Sequence, residues 1–292
     1  MGLMDEIKKE ALGNGTKIQS SEAAQLEKIF NKMFYLDKNI EEETKFVNQL
    51  MTRGLGTTER YGLHASAMIV SDNKFCIRQQ VLSLLYKQRQ GEQTSVGLMR
   101  IFEEGNAIHE KWQRLFIRAG YSKAKHLDFT RFNKDFEISF TPDILCYIPE
   151  FFNGKMVGEI KSVNTFQFKK MTSHPSGHKQ MQLYMYFMQE ELKKRKKWNG
   201  VDYTKGFVLC DDKNTQDFKI FVYNYDPSVV APFIERGEQV QFYKNRALNE
   251  GKMVKRCDGC NKSTCKKAEE CAMRDACYNV GMGRVRLSIY DD

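Results

Sequence analysis

Mixed α/β is the class this sequence predicts: a mixed β-sheet flanked by helices, with a helical N-terminal extension and a cysteine-rich C-terminal segment. Three observations carry it. Stretches with apolar residues at helical spacing, such as GLMRIFEEGNAIHEKWQRLFIRAG, interleave with strand-length apolar runs such as KMVGEIKSV and KGFVLCD. The chain of 292 residues is 41% hydrophobic, enough for one large core or two modest ones. Five of its eight cysteines crowd between Cys257 and Cys277, which sets the tail apart chemically.

The elements follow in order. Ser20 and Ser21 open SSEAAQLEKIFNKMFYL, where Ala23, Leu26, Phe30, Met33 and Phe34 recur at near-helical spacing, so residues 1–58 read as a helical extension. The three glycines of MTRGLGTTERYG mark a linker into the main body, residues 59–256. FCIRQQVLSLLYKQ is a helix, and so is the stretch in which Ile101, Ala107, Ile108, Trp112, Leu115 and Phe116 share an apolar face. FEISFTPDILCYI and KMVGEIKSV read as adjacent antiparallel strands joined at an Asn153-Gly154 turn. HKQMQLYMYFMQEELKKRKK is a helix, KGFVLCD and FKIFVYNYD are strands, and PSVVAPFIERGEQVQFYKNRALNEGK is a helix that stops at a glycine. The cysteine-rich segment, residues 257–292, is expected to pack back on the body.

A formal charge of +9, from 46 Lys and Arg against 37 Asp and Glu, favours a polyanionic partner, nucleic acid first. No segment approaches the roughly 20 apolar residues that cross a bilayer. MGLMDEIKKEALGNG carries charges where a secretory signal needs an apolar stretch, and Glu6 stands where a myristoylation signal needs Ser or Thr. The expectation is a cytoplasmic protein with no membrane partner, in which eight cysteines are reduced rather than disulfide-bonded.

Asp143 is followed sixteen positions later by Glu159-Ile160-Lys161, all placed in strands by the pattern. Alternation along a strand sends Glu159 and Lys161 to one side and Ile160 into the core, and Asp143 on the neighbouring strand meets them. Two carboxylates side by side are hard oxygen ligands for Mg²⁺ or Mn²⁺, and a nearby ammonium orients a water attacking phosphorus. A bare Asp with Glu-x-Lys recurs by chance in exposed strands; here both carboxylates sit in apolar runs, where a charge needs a partner or a metal. His109, in the helix sequence GNAIHE, supplies a third ligand, since imidazole suits Mn²⁺. Downstream, Gln180 and Tyr184 share one helix face, and so do Gln182 and Tyr186.

The ordered set GxxxHE, an apolar-flanked PD, ExK and QxxxY, over residues 66–277, resembles the RecB-like branch of the PD-(D/E)XK nucleases. The resemblance implies a restriction-endonuclease-like sheet core and a Mg²⁺- or Mn²⁺-dependent DNA nuclease, acting on single-stranded DNA or DNA ends. It makes His109, Asp143, Glu159 and the Ile160 carbonyl metal ligands, Lys161 catalytic, and Gln180 with Tyr184 the QxxxY pair in preference to Gln182 with Tyr186. Lys169, Lys170 and Lys179, with the Lys193–Lys197 run, are candidate phosphate contacts. The alternative is a non-catalytic DNA-binding protein on the same fold, against which the intact E-x-K with its Asp and His argues. A phage source, replication or recombination partners and a homo-oligomer are further expectations.

Cys76 lies near the start of the nuclease region and the other thiols at its end. This layout resembles the CRISPR-associated and AddB-type exonucleases, in which one early and three late cysteines hold a [4Fe–4S] cluster. The spacing here, C-x2-C-x4-C-x5-C-x5-C, departs from the C-x2-C-x5-C tail of those families. The set that keeps the final gap is Cys76, Cys257, Cys271 and Cys277; Cys76 with Cys257, Cys260 and Cys265 is the second, and a tail-only Zn²⁺ site the third. Cys146 and Cys210 fall in strands and read as core thiols.

Overall fold

The computed structural model describes residues 21–52, 62–86, 96–127 and 129–278. Helix α1 covers residues 21–33 and α2 Ile40–Thr52. After β1 (Leu63–His64) come α3 (Ala65–Met68), α4 (Ile77–Leu85) and α5 (Val96–Arg118). Then follow β2 (Arg131–Asn133), β3 (Ile138–Phe140), β4 (Ile144–Tyr147), β5 (Lys155–Val163), α6 (Thr165–Lys170) and α7 (Pro175–Lys194). The chain continues through β6 (Lys205–Asp212), β7 (Phe218–Asn224), α8 (Pro227–Glu250), α9 (Lys266–Glu269) and α10 (Arg274–Tyr278). The fold is mixed α/β, with mixed sheets flanked by helices. The linker MTRGLGTTERYG lies almost wholly outside the described residues. Among the described residues no helix is long and apolar enough to cross a membrane.

The chain divides into two compact units, each woven from three segments. The first is drawn from Met1–Gly54, Arg100–Phe129 and Thr141–Asp226. Its sheet runs β4-β5-β6-β7, with β5 and β6 parallel and both outer pairs antiparallel. The parallel step needs a crossover, and α7, amphipathic and started by Pro175, provides it. The core on the opposite sheet face is aromatic: Phe30 meets Phe116 at 5.0 Å and Phe207 at 5.3 Å, and Trp112 meets Phe218 at 5.0 Å. Gly158 makes room for this packing, since a Cβ there would stand 2.4 Å from the Phe207 ring. Leu26, Phe30 and Met33 bury α1 in the same core, and Lys205 pairs with Glu22 at 2.7 Å.

The second unit is drawn from Leu55–Met99, Thr130–Phe140 and Pro227–Asp292, with a small sheet in the order β1-β3-β2. Arg236 of α8 organises it, bonding to the Met68 and Val70 carbonyls, pairing with Asp72, and stacking 4.4 Å from the Phe75 ring. Helix α8 ends where Gly251 takes φ +64°, the left-handed stop that glycine favours.

Three expectations about these elements fail for identifiable reasons. FEISFTPDILCYI is two strands in different sheets, because Pro142 has no N–H for a ladder and breaks the run between β3 and β4. Residues 148–154 join β4 to β5, with Tyr147 opposite Lys155, so Asn153-Gly154 is the end of a longer loop rather than a two-residue turn. On α5, Ile108, Trp112, Leu115 and Phe116 are buried, but Ile101 and Ala107 are exposed; Phe34 of the first helical stretch is exposed too.

Candidate functional site

Asp143 sits in the bend before β4 rather than in a strand, because Pro142 delays the start of pairing to Ile144. That position turns its carboxylate toward β5: Oδ2 accepts the Ile160 N–H at 2.8 Å, and Oδ1 lies 3.4 Å from His109 Nδ1 of α5. Four residues on, Gln113 donates to the Asp143 carbonyl at 2.9 Å and so ties α5 to the same bend. Alternation on β5 is as expected, with Ile160 fully buried and Glu159 and Lys161 together on the α7 side.

Lys161 Nζ donates to Glu159 Oε1 at 2.5 Å and to Gln180 Oε1 at 3.2 Å. Gln180 Nε2 in turn donates to the Tyr184 hydroxyl at 2.8 Å. The relay orders the ammonium from α7 while Glu159 holds it from β5. The rival pair does something else: Gln182 donates to the Asn224 carbonyl at 2.7 Å and accepts the Asp226 N–H at 2.9 Å, fastening α7 to the end of β7.

The electrostatics are those of a crowded, mostly buried cluster of charged groups. Burial pushes the Glu159 carboxyl up to about 8, and the neighbouring Asp143 charge adds to the rise. Glu159 is 1% exposed, and its Oε2 is buried without a hydrogen-bond partner. Burial alone lowers His109, but the Asp143 carboxylate outweighs it and the imidazole is held above its ordinary value. Burial likewise opposes the Lys161 charge, and Glu159 more than compensates, so Lys161 is an ammonium. Burial drives the Tyr184 phenol well above its usual range, leaving it a neutral hydroxyl.

These residues fit a hard divalent cation. An orphaned carboxylate oxygen, a second carboxylate close enough to raise the first, and an imidazole on the same side are a donor set that a cation relieves. Among the described residues no three His, Cys, Asp or Glu side chains already close on a common point. Of Ile160 the N–H is the group placed, on Asp143.

Three supporting residues escaped the sequence reading. Asp211, fully buried in β6, accepts Lys111 Nζ at 2.6 Å and Trp112 Nε1 at 2.7 Å, locking α5 to the sheet two residues beyond His109. Asp211-Asp212 ending the apolar run KGFVLC was the available signal, since carboxylates so placed need partners. Gln113, at i+4 from His109, was legible only as helix spacing.

In the second unit, Cys76, Cys257, Cys260, Cys271 and Cys277 line one cavity of about 460 Å³. All are free thiols. Burial raises the Cys257 thiol and the neighbouring Cys76 adds to the rise; Cys265 lies beside Cys260 without lining the cavity. Arg78 Nε donates to Cys277 Sγ at 3.1 Å and Nη1 to the Val254 carbonyl at 2.5 Å, holding the tail against α4. The first ligand set, Cys76, Cys257, Cys271 and Cys277, thus lines the same cavity as Cys260. Cys146 and Cys210 are buried core thiols, and burial pushes Cys210 up to about 12. Lys169, Lys170 and Lys179 are exposed, on α6 and at the start of α7.

No protein-family model matches the chain, and no curated protein matches it. A solved structure described as "Crystal structure of SSO0001" is similar with a TM-score of 0.39 and 12% identity, over 68% of this chain and 83% of that one.

Proposed function

We propose that this chain is a divalent-metal-dependent deoxyribonuclease of the PD-(D/E)XK type, with a restriction-endonuclease-like sheet core. The observation that carries the reading is the buried, partnerless Glu159 Oε2 beside Asp143, with Lys161 on Glu159 and His109 on Asp143. Asp143, Glu159 and His109 are the residues to hold Mg²⁺ or Mn²⁺, which supplies Lewis-acid stabilisation of charge at a phosphoryl oxygen. Lys161, held as an ammonium, orients an attacking water and offsets negative charge rather than abstracting a proton. Gln180 and Tyr184 keep that ammonium aimed, and the basic surface retains the DNA backbone. The test is incubation of the purified chain with end-labelled single- and double-stranded DNA in Mn²⁺, alongside Asp143→Ala and Lys161→Ala. Cleavage by the wild type and its loss in both variants is expected; a wild type that cleaves nothing, or variants that match it, would end the reading.

The cysteine cavity supports a second metal centre, a [4Fe–4S] cluster on Cys76, Cys257, Cys271 and Cys277, with Zn²⁺ as its rival. Brown protein from anaerobic purification with iron and sulfide in equal amounts supports the cluster, and colourless protein with stoichiometric zinc replaces it.

A further inference from the structure

The thiol cavity of the second unit carries more positive charge than its sulfurs can answer. Six cations line it, Lys74, Arg78, Arg256, Lys266, Lys267 and Arg274, against one carboxylate, Glu270. Among the described residues none of the six pairs with an acid. Arg78 and Arg256 reach the same Cys277 carbonyl at 3.5 and 3.3 Å, and Lys267 Nζ donates to the Asp258 carbonyl at 3.2 Å and the Asn73 carbonyl at 3.4 Å. Arg274 Nε is buried with no hydrogen-bond partner at all.

A metal centre on the thiols answers part of this charge. Four thiolates around Zn²⁺ leave about two negative charges, and an oxidised [4Fe–4S] cluster leaves about as many. Together with Glu270 they fall well short of the six cations, and protonated thiols would fall further short. Clefts lined by one sign of charge focus the field and draw counter-ions. An arginine fork matches the oxygens of phosphate two at a time, which a halide cannot use. The charges here line a single concavity of about 460 Å³, within the roughly 300–1,000 Å³ that small ligands fill. A nucleic-acid backbone is instead met by charge spread along a face or a helix.

We propose that this cavity binds a small anion carrying several phosphate charges, of the pyrophosphate or nucleoside-polyphosphate class, with Arg274 and Lys266 among its contacts. The site does not depend on the nuclease reading, whose residues all belong to the first unit.

The experiment is isothermal titration calorimetry on the full, anaerobically purified chain with no added Mg²⁺ or Mn²⁺, so that the carboxylates of the first unit hold no cation for phosphate to bridge. The titrants are inorganic pyrophosphate, ATP, and an oligothymidylate of about 20 nucleotides. Pyrophosphate should bind once per chain with a Kd of about 100 μM or tighter, and ATP should displace it. Arg274→Gln and Lys266→Gln should each weaken it roughly fivefold or more, and Arg274→Lys should recover part of the loss. Lys266 is exposed, so its variant keeps the fold; metal analysis checks that each variant holds as much iron or zinc as wild type. Lys32→Gln, an exposed charge removed from the first unit, should bind as wild type does. No binding of pyrophosphate or ATP at millimolar concentration, unchanged affinity in both glutamine variants, or binding confined to the oligothymidylate overturns the proposal.

Discussion

Asp143 is pinned to the backbone of β5, its Oδ2 accepting the Ile160 N–H at 2.8 Å while Oδ1 stays on the His109 side. The two oxygens therefore have separate duties, one structural and one open to a cation. Asp143→Asn keeps an acceptor for Ile160 but removes the charge, whereas Asp143→Ala removes both. We expect the asparagine variant to melt within about 2 °C of wild type in EDTA. Binding of Mn²⁺ to the native state should raise the wild-type midpoint and leave that of either variant unmoved. A full Mn²⁺ shift in Asp143→Asn would remove this carboxylate from the ligand set.

The two Gln/Tyr pairs on α7 make opposite predictions. Gln180 touches Lys161 and Tyr184, so Gln180→Ala should lower DNA cleavage by roughly 10- to 100-fold through a misaimed ammonium, with little change in stability. Gln182 is buried and bonds Asn224 and Asp226, so Gln182→Ala should cost about 2 kcal/mol of stability while the folded fraction cleaves normally. Thermal melts and initial rates on the same samples separate them; the reverse pattern would exchange the roles of the pairs.

The sequence made the site legible where local geometry decides it. Strand alternation alone put Glu159 and Lys161 on one side, and helical spacing alone paired Gln180 with Tyr184. Which pair faces the lysine depends on how α7 is rotated against β5, a property of tertiary packing. The placement of Asp143 was misread because its flanks look like one strand, yet Pro142 cannot donate to a ladder and splits the run. The anchor from Asp211 to Lys111 and Trp112 joins residues a hundred positions apart, and no local pattern carries it. Ile101 and Ala107 fit an apolar helix face, but nothing in the spacing says where the buried part of that face begins.

Glu43 offers a pH test away from the site. Hydrogen bonds from Arg118, together with Arg114 at 2.8 Å, hold its carboxyl at about 2, below the ordinary 4.5, although burial opposes this. A depressed folded-state value means the stabilisation is complete above about pH 4.5 and disappears as pH falls toward 2. Since the arginines are partly exposed, Glu43→Gln should cost only about 1–2 kcal/mol at pH 7. The difference between variant and wild-type denaturant midpoints should shrink steadily from pH 5 to pH 3. A gap that holds constant across that range would show that the ion pairs between α2 and α5 contribute nothing.

The cysteines can be sorted by where they stand. Cys76 and Cys271 line the cavity, but Cys265 only touches Cys260 from outside it. Because thiolates supply the bonds that hold a structural metal, losing a true ligand forfeits most of the binding energy, and a neighbour outside the cavity costs little. Cys76→Ser and Cys271→Ser should therefore each lose most of the iron or zinc per chain, whereas Cys265→Ser should retain it. Arg78→Gln should lower metal content less than either, since it removes the donor to Cys277 Sγ but leaves the sulfur in place. Metal analysis of anaerobically purified protein reads all four. Full metal content in Cys76→Ser with loss in Cys265→Ser would move the site wholly into the tail and favour the zinc alternative.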